Sequence, residues 1–561
     1  VWDHPDMLIV FAAGNDGVDA DLDGVVDLLS LDAPASAKNV LAVGASEIGR
    51  PPGSGGYSAR TYGSAWPLDY RVPPVSSDYI SSSPGEAPPG LAAYSSRGPA
   101  ADGRTKPDIV APGTDIVSVR SRASSDPGWG ILSANTNYAF MGGTSMSTPL
   151  AAGAATLIRQ HAVDRLGLPS PSAALLKAAL AGGARSLSPG QYGSGAQQEI
   201  PSDPRPNVAE GWGELDVAGT LYPAPPAQAV LMEGPEPLPT GGEFTFSFRV
   251  ITNHPLNVVL AYSDYPSALS ASIHLVNNLD LLLLDPGGNA LHPNGRDGPD
   301  DLNNLEGIDV ESPEPGIWTL RVTAANVPEG PQPFALYMRG AVLMPIGISH
   351  TPLENTIDTE SGYPVSADVT SAGPVDPSAV RLVWIASNGS SGFSNIVMST
   401  TNGIRFEAVL PPHPVGTRLW YYLSAGPPEF PAVHPAGAPV HLHTFEVTPP
   451  IPLAVAGNPA DVLAADPAYG LHALASNRTL QASALFPPLG TNGFRTACIG
   501  WTGTGSVPAT GSTASCTFTL TEVSSLTWLW QEQVALTQIS SPAGALATLT
   551  WHPRNTPAFT R

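Results

Sequence analysis

The chain has 561 residues, enough for three or four domains at roughly 100–200 residues each, and its 42% hydrophobic content excludes a disordered chain. Its 48 acidic residues outweigh 25 basic ones, and a formal charge of −23 argues against nucleic-acid or anionic-membrane partners. Only two cysteines occur, Cys498 and Cys516, so thiol catalysis and cysteine-ligated zinc are excluded from everything before them.

No apolar run reaches 18 residues, so no membrane span is expected. The 57 glycines and 61 prolines favour turn-rich β architecture. Up to about residue 222 strands and helices alternate. MLIVFAAG, NVLAVGAS and DIVAPG are short apolar runs with the look of buried parallel strands. Helical stretches are expected over Thr148 to His161 and Ser172 to Ala181, which makes this an α/β part. A long insertion rich in Gly, Pro, Ser and Tyr interrupts it from about Arg50 to Leu91.

YPAPPAQ, Tyr222 to Gln228, reads as a linker. EFTFSFRVIT, NVVLAYSD, NLDLLLLD and GIWTLRVTA then predict a β jelly roll over 228–341. A third β module is expected over 344–448, from RLVWIAS, RFEAVL and RLWYYLSA, and it resembles a fibronectin- or immunoglobulin-type sandwich; a small β module is expected over 454–540. Residues 541–561 form an unassigned tail. The expected fold class is therefore multidomain: an α/β domain with a parallel sheet, over 1–222, followed by three β-sandwich modules. Cys498 and Cys516 fall in the last module, where a local disulfide and two free buried thiols are equally open readings.

The chemistry gathers in FMGGTSMSTPLAAGAATL, Phe140 to Leu157. Ser145 follows two glycines and heads a predicted helix, so backbone N–H groups and the positive helix end would face whatever bonds to it. Gly142 and Gly143 permit close approach of a substrate backbone, and Pro149 is expected in the first turn. From spacing alone, a nucleophile and an ordinary small-residue helix cap stand at even odds. Asn15, in AAGND at the end of a strand, could donate to a developing oxyanion, or could simply make a turn.

Taken together, AAGN and GGTSMSTPLAAG resemble the oxyanion and nucleophile motifs of subtilisin-like serine proteases. AYSSRGP, GRTKPDIVAPGTDIVSVRS and EGWGELD match that family's intervening and following blocks, so the resemblance covers most of residues 6 to 220. It implies an endopeptidase acting on protein or peptide substrates, with Ser145 as nucleophile and Asn15 as oxyanion donor, partnered by the Ser145 N–H. The second domain resembles the jelly roll that follows the catalytic domain in some bacterial alkaline subtilases and is related to the P-domain of proprotein convertases. Secretion or cell-surface location of bacterial type follows from the resemblance, since the chain shows no signal peptide.

A subtilase also needs an aspartate and a histidine, in motifs resembling D-[ST]-G and H-G-T-H. None of the twelve histidines is followed by Gly-Thr, and no D-S-G or D-T-G precedes Asn15. The expectation is that both belong to a preceding part of the parent protein and that this chain alone is inactive. The rival reading is a catalytically silent surface adhesin or binding scaffold, whose C-terminal β modules hold surface or polymer ligands.

VDADLDGVVD offers carboxylates at Asp19, Asp21, Asp23 and Asp27 with Gly24 at the turn, the alternation a calcium loop requires, with Asp32 as a closing oxygen. An acidic solvated loop is the competing reading. In the jelly roll, Asn278, Asp280, Asn304 and Glu306 are candidates for a second calcium site, against ordinary turn formers. Calcium is the expected cofactor, and no organic cofactor is expected.

Overall fold

The structure is a computed structural model describing all of the chain except residues 82–89, 202–204, 372–374, 390–391, 429, 461–463, 486–493, 538–548 and 554–561. Part of the 50–91 insertion and nearly all of the expected tail lie outside the described residues. The chain divides into two compact units, Val1–Pro345 and Ile346–Arg561.

The first unit starts with a three-stranded parallel sheet of β1 (Val10–Ala12), β2 (Leu41–Ser46) and β3 (Ile109–Pro112), in that order. β2 is buried along its whole length, as its unbroken apolar run requires. The insertion carries the short helix α1 (Tyr62–Ala65). A second small sheet, β4 (Ile116–Val119), β5 (Gly130–Ile131) and β6 (Tyr138–Met141), has order β4-β6-β5 and leads directly into the segment that carries Ser145. Among the described residues β1 has no strand on its far side, and its three residues are the sheet's short open edge.

Helix α2 (Thr144–Leu166) begins four residues earlier than the sequence suggests. Gly167 ends it in the left-handed conformation, φ +67°. Pro149 is then the sixth helical residue and not part of the first turn. Its missing N–H would have bonded the carbonyl of Ser145, so the Ser145 C=O loses its helical partner. Helix α3 (Ala173–Gly183) is capped by the Ser172 hydroxyl, which accepts the Leu175 N–H at 2.9 Å. All eleven residues of α3 are buried, so it is covered on every side.

The cover comes from the second half of the same unit. After α4 (Val217–Leu221) the chain forms β7 (Gln228–Glu233), β8 (Glu243–Val250), β9 (Leu256–Ala261), β10 (Asn278–Leu284), β11 (Ala290–Leu291), β12 (Leu305–Val310), β13 (Gly316–Asn326), β14 (Ala335–Gly340) and β15 (Val342–Leu343). They make two antiparallel sheets, ordered β11-β10-β13-β8-β15 and β12-β9-β14-β7. One hydrophobic core runs from Leu41, Val43 and Ile109 through Leu175, Leu176 and Leu180 of α3 to Leu231, Val259 and Tyr337. The α/β layer and the β12-β9-β14-β7 sheet thus pack on opposite sides of α3.

Polar ties fix that packing. Lys38 Nζ bonds the buried Asp264 carboxylate at 2.6 Å and also donates to the Tyr265 and His274 carbonyls. Glu233 of β7 accepts from both the N–H and the hydroxyl of Ser172. Lys38 and Asp264 are both buried, so removing one would strand the other.

The second unit contains β16 (Ile346–His350), β17 (Tyr363–Ser371), β18 (Arg381–Ala386), β19 (Ser394–Val397), β20 (Ser399–Thr400), β21 (Arg405–Leu410), β22 (Arg418–Ala425), β23 (Ala432–His434) and β24 (His443–Glu446). These form one sheet ordered β16-β17-β21-β20 and another built on β19-β18-β22, enclosing a core that includes Val365, Leu382, Phe406 and Tyr421. A further group follows: β25 (Ile451–Asn458), β26 (Ala465–Asp466), β27 (Gly470–Leu474), β28 (Arg478–Ala484), β29 (Phe494–Thr504), β30 (Thr510–Gly511), β31 (Ser515–Leu520), β32 (Ser524–Thr537) and β33 (Leu549–Pro553). Its core holds Trp501, Trp528 and Trp530. Cys516 is buried in that core and Cys498 lies against it, yet both are free thiols, and Cys498 Sγ donates to the Gly500 carbonyl at 3.3 Å. The disulfide reading is therefore not realised.

Candidate active site

Ser145 is the second residue of α2 and is exposed, while Thr144 before it and Ser147 after it are buried. Gly143 precedes the helix at φ +137°, a conformation L side chains rarely adopt. Its N–H is held by the Gly113 carbonyl at 2.9 Å and the Tyr94 hydroxyl at 3.1 Å. Tyr94 itself donates to the Gly113 carbonyl at 2.7 Å, so the β3 end, Tyr94 and the helix start are locked together. In the first helical turn the Met146 N–H bonds the Gly143 carbonyl at 2.9 Å, and the Ser145 N–H lies beside its own hydroxyl.

Asn15 follows β1, at the C-terminal edge of the parallel sheet. Its Oδ1 accepts the Thr144 N–H at 2.9 Å and lies 3.1 Å from the Thr144 hydroxyl. A backbone N–H can only donate, so the carboxamide oxygen must face Thr144. That fixes the flip of the amide and leaves Nδ2 as a donor with no recorded bond to the protein. A turn-forming Asn would not need its side chain pinned to the residue preceding Ser145.

A wall of aromatic side chains, unrecognised from the sequence as a site element, stands next to this segment. Trp129 lies against Gly142, where an added methyl would come within 1.8 Å of the indole. Tyr57 stacks on Trp129 with centroids 4.7 Å apart and planes 6° from parallel, and Arg60 sits over the outer face of Tyr57 at 4.3 Å. Trp66 and Tyr94 contact the same indole edge-on or tilted. The insertion supplies Tyr57, Arg60 and Trp66. Its Tyr-rich composition was the available signal.

No histidine has a recorded hydrogen bond to Ser145 among the described residues. His161 lies on α2 sixteen residues further on, about 24 Å along the axis, where its ring meets the Tyr222 hydroxyl. His4 belongs to a start segment held through the carbonyls of Asp6 and Pro5, by Arg159 in the far half of α2 and by the Ala173 N–H at the start of α3. The triad partners are not assembled by these residues.

In the acidic loop, Asp19, Asp21 and Asp23 each bring a carboxylate oxygen within 4.8 Å of the others. Asp19 accepts the N–H groups of Asp23 and Gly24 at 3.1 and 3.2 Å, so the loop curls around its carboxylate. Burial, chiefly, and the charges of Asp23 and Asp21 raise the Asp19 pKa. Asp27 bonds the Ala20 N–H at 2.7 Å across the loop's neck. Asp32 is elsewhere: it shares a hydrogen bond with Asp16, which raises its pKa, and its carboxylate sits against Gly14. It does not close the loop. An all-oxygen, multiply charged donor set fits a hard cation such as calcium.

In the antiparallel sheets of the first unit, Glu306 is fully buried; its Oε2 accepts the Leu281 N–H at 2.8 Å and its Oε1 has no partner among the described residues. Asn278 Oδ1 and Asp280 Oδ1 are also buried without partners. Burial, then the charges of Asp301 and Asp300, push Asp280 up to about 6, and burial raises Glu306 far above its ordinary value. Three orphaned oxygens on neighbouring residues again fit a hard cation. Asn304 departs from this set, since its Nδ2 bonds Asn39 at 3.1 Å and the Tyr262 carbonyl at 2.7 Å.

The subtilase family model matches residues 2–213, so this part of the chain is similar to a subtilase domain. The serine protease/ABC transporter B family protein tagB of Dictyostelium discoideum is 32% identical over 308 residues, 45% of this chain and 16% of the relative. Serine protease AprX of Bacillus subtilis is 47% identical over 75 residues, 13% of this chain and 17% of the relative. C5a peptidase of Streptococcus pyogenes serotype M18 is 38% identical over 117 residues, 19% of this chain and 9% of the relative. The chain thus spans less than a fifth of the length of these relatives. Among the described residues no helix is long and apolar enough to cross a membrane.

Proposed function

We propose that the chain is the nucleophile-bearing part of a secreted serine endopeptidase that cleaves peptide bonds through an acyl-enzyme on Ser145. The observation that carries this is the pinned carboxamide of Asn15, with Oδ1 turned to Thr144 and Nδ2 free to donate. As the Ser145 Oγ adds to the scissile carbonyl, the carbonyl oxygen becomes an oxyanion. Asn15 Nδ2 and the Ser145 N–H stabilise it, and the helix end adds positive potential. A base must take the Ser145 proton and return it to the leaving amine. That histidine and its aspartate partner come from a part of the parent protein outside this chain, which alone turns over no substrate.

Two calcium sites support the scaffold in this reading. Asp19, Asp21 and Asp23 would hold one, with Asp27 bracing the loop. Asn278, Asp280 and Glu306 would hold the other, inside the jelly roll that shares a core with α3. Fluorophosphonate labelling tests the function: the parent protein should label at Ser145, and this chain alone should not. Absence of labelling in a parent protein carrying both missing motifs would favour a silent scaffold.

A further inference from the structure

Three histidines of the second unit converge where β22 carries two short partners on one edge. β23 ends at His434, opposite Leu423, and β24 begins at His443, opposite Tyr421. Residues 435–442 therefore leave the sheet at one histidine and return at the other. At this neck His434 Nδ1 and His443 Nε2 stand 3.0 Å apart, with ring centroids 5.0 Å apart and planes 31° from parallel. His350, at the end of β16, is the third: its ring lies 5.3 Å from that of His443 and 6.0 Å from that of His434.

The protonation pattern follows from the partners. His350 Nδ1 is 2.7 Å from the Ser366 carbonyl, which can only accept, so Nδ1 carries the proton. Its Nε2 then accepts from the Tyr421 hydroxyl at 2.9 Å, while that hydroxyl takes the Leu353 N–H at 2.8 Å. All three rings are partly exposed, and solutes can reach them.

Imidazoles brought together in this way are donors for zinc, copper or nickel and poor donors for calcium. A tetrahedral ion about 2.0–2.1 Å from two such nitrogens holds them roughly 3.3 Å apart. The observed separation needs an adjustment of only a few tenths of an ångström to meet that. We propose that His434 and His443, with His350 beside them, form a binding site for a divalent transition-metal ion that closes the neck of the 435–442 excursion. The ion replaces the proton now shared between the two rings, and His350 completes the set when Tyr421 releases it. The site is independent of the protease reading and lies in a different unit.

Copper titration of the full chain tests this, with excess calcium present to occupy carboxylate sites. Electron paramagnetic resonance at one equivalent should show coupling to two or three imidazole nitrogens. His434→Gln and His443→Gln should each weaken binding roughly 10-fold or more, while His472→Gln, whose ring bonds the Ala468 carbonyl, should not. In the unsubstituted chain, zinc should protect His434 and His443 from carbethoxylation, read by peptide mass spectrometry. A spectrum lacking multiple imidazole couplings, binding that survives both substitutions, or equal modification with and without zinc would each overturn the site and leave a shared proton at the neck.

Discussion

Thr144 gives its backbone N–H to Asn15 Oδ1 at 2.9 Å, and Thr144 is the residue immediately before Ser145. One hydrogen bond thus connects the end of β1 to the start of α2 and decides which end of the Asn15 amide faces away from Thr144. Asn15→Ala in the parent enzyme should lower kcat by about 10²–10³ with little change in KM, the scale established for such a donor in subtilisin, a member of this family. Asn15→Asp keeps the acceptor for Thr144 and loses the donor, so it should be as damaging. Steady-state kinetics on a peptide substrate distinguishes this from a turn role, in which Asn15→Asp would be nearly silent.

Gly142→Ala should displace Trp129, because the new methyl would lie within 1.8 Å of the ring. The expected cost is about 1–3 kcal/mol of unfolding free energy, measured by denaturant titration. A shift in tryptophan emission should accompany it, since Trp129 would lose its stack on Tyr57. Gly153→Ala, on α2 with open space around it, should be neutral or slightly stabilising.

Much of this site is readable from the residues alone, and for a physical reason. The helix start, its two glycines and Asn15 impose local rules on the backbone, and local rules leave a mark in short motifs. Long-range facts leave none. Nothing adjacent to Asn304 says that its amide turns to Asn39 and the Tyr262 carbonyl and away from Glu306. Nothing near Asp32 says that Asp16 claims it. The burial of α3 on all sides is half visible in its run of alanine and leucine, which Lys177 alone interrupts. That its second cover is a sheet some 60 to 160 residues later depends on tertiary packing.

Calcium removal should lower stability, and pH should modulate the effect at Asp280. Its folded pKa of about 6 exceeds the ordinary 3.8, so without metal the folded state holds a proton that the unfolded state has released. That contribution is fully present below about pH 3.8 and is lost as pH rises through about 6. Calcium needs the ionised form, so its affinity should climb between pH 5 and 7. Glu306→Gln should abolish the calcium-dependent rise in melting temperature from this site while stabilising the metal-free protein at pH 8. Calorimetry with and without a chelator checks both.

Lys106 is buried with Lys177 on the single carboxylate of Asp108, at 2.6 and 3.1 Å. One carboxylate cannot neutralise two ammonium groups; burial, aided by the Lys177 charge, pushes Lys106 down to about 7 although Asp108 opposes the shift. The unfolded chain therefore binds more protons between about pH 7 and 10.5, and this group's contribution to stability should rise with pH across that window. Lys106→Met should flatten that part of the stability profile, measured by urea unfolding at stepped pH. An unchanged slope would show that Lys106 remains charged throughout.

The central claim is that Ser145 is a poised nucleophile whose base lies outside this chain. Active-site labelling with a fluorophosphonate, mapped by peptide mass spectrometry, tests it most directly. The account predicts adduct on Ser145 in the parent protein, none in the Ser145→Ala variant, and none in this chain alone. Labelling of this chain at rates equal to the parent, or adduct on another serine in the parent, would contradict it.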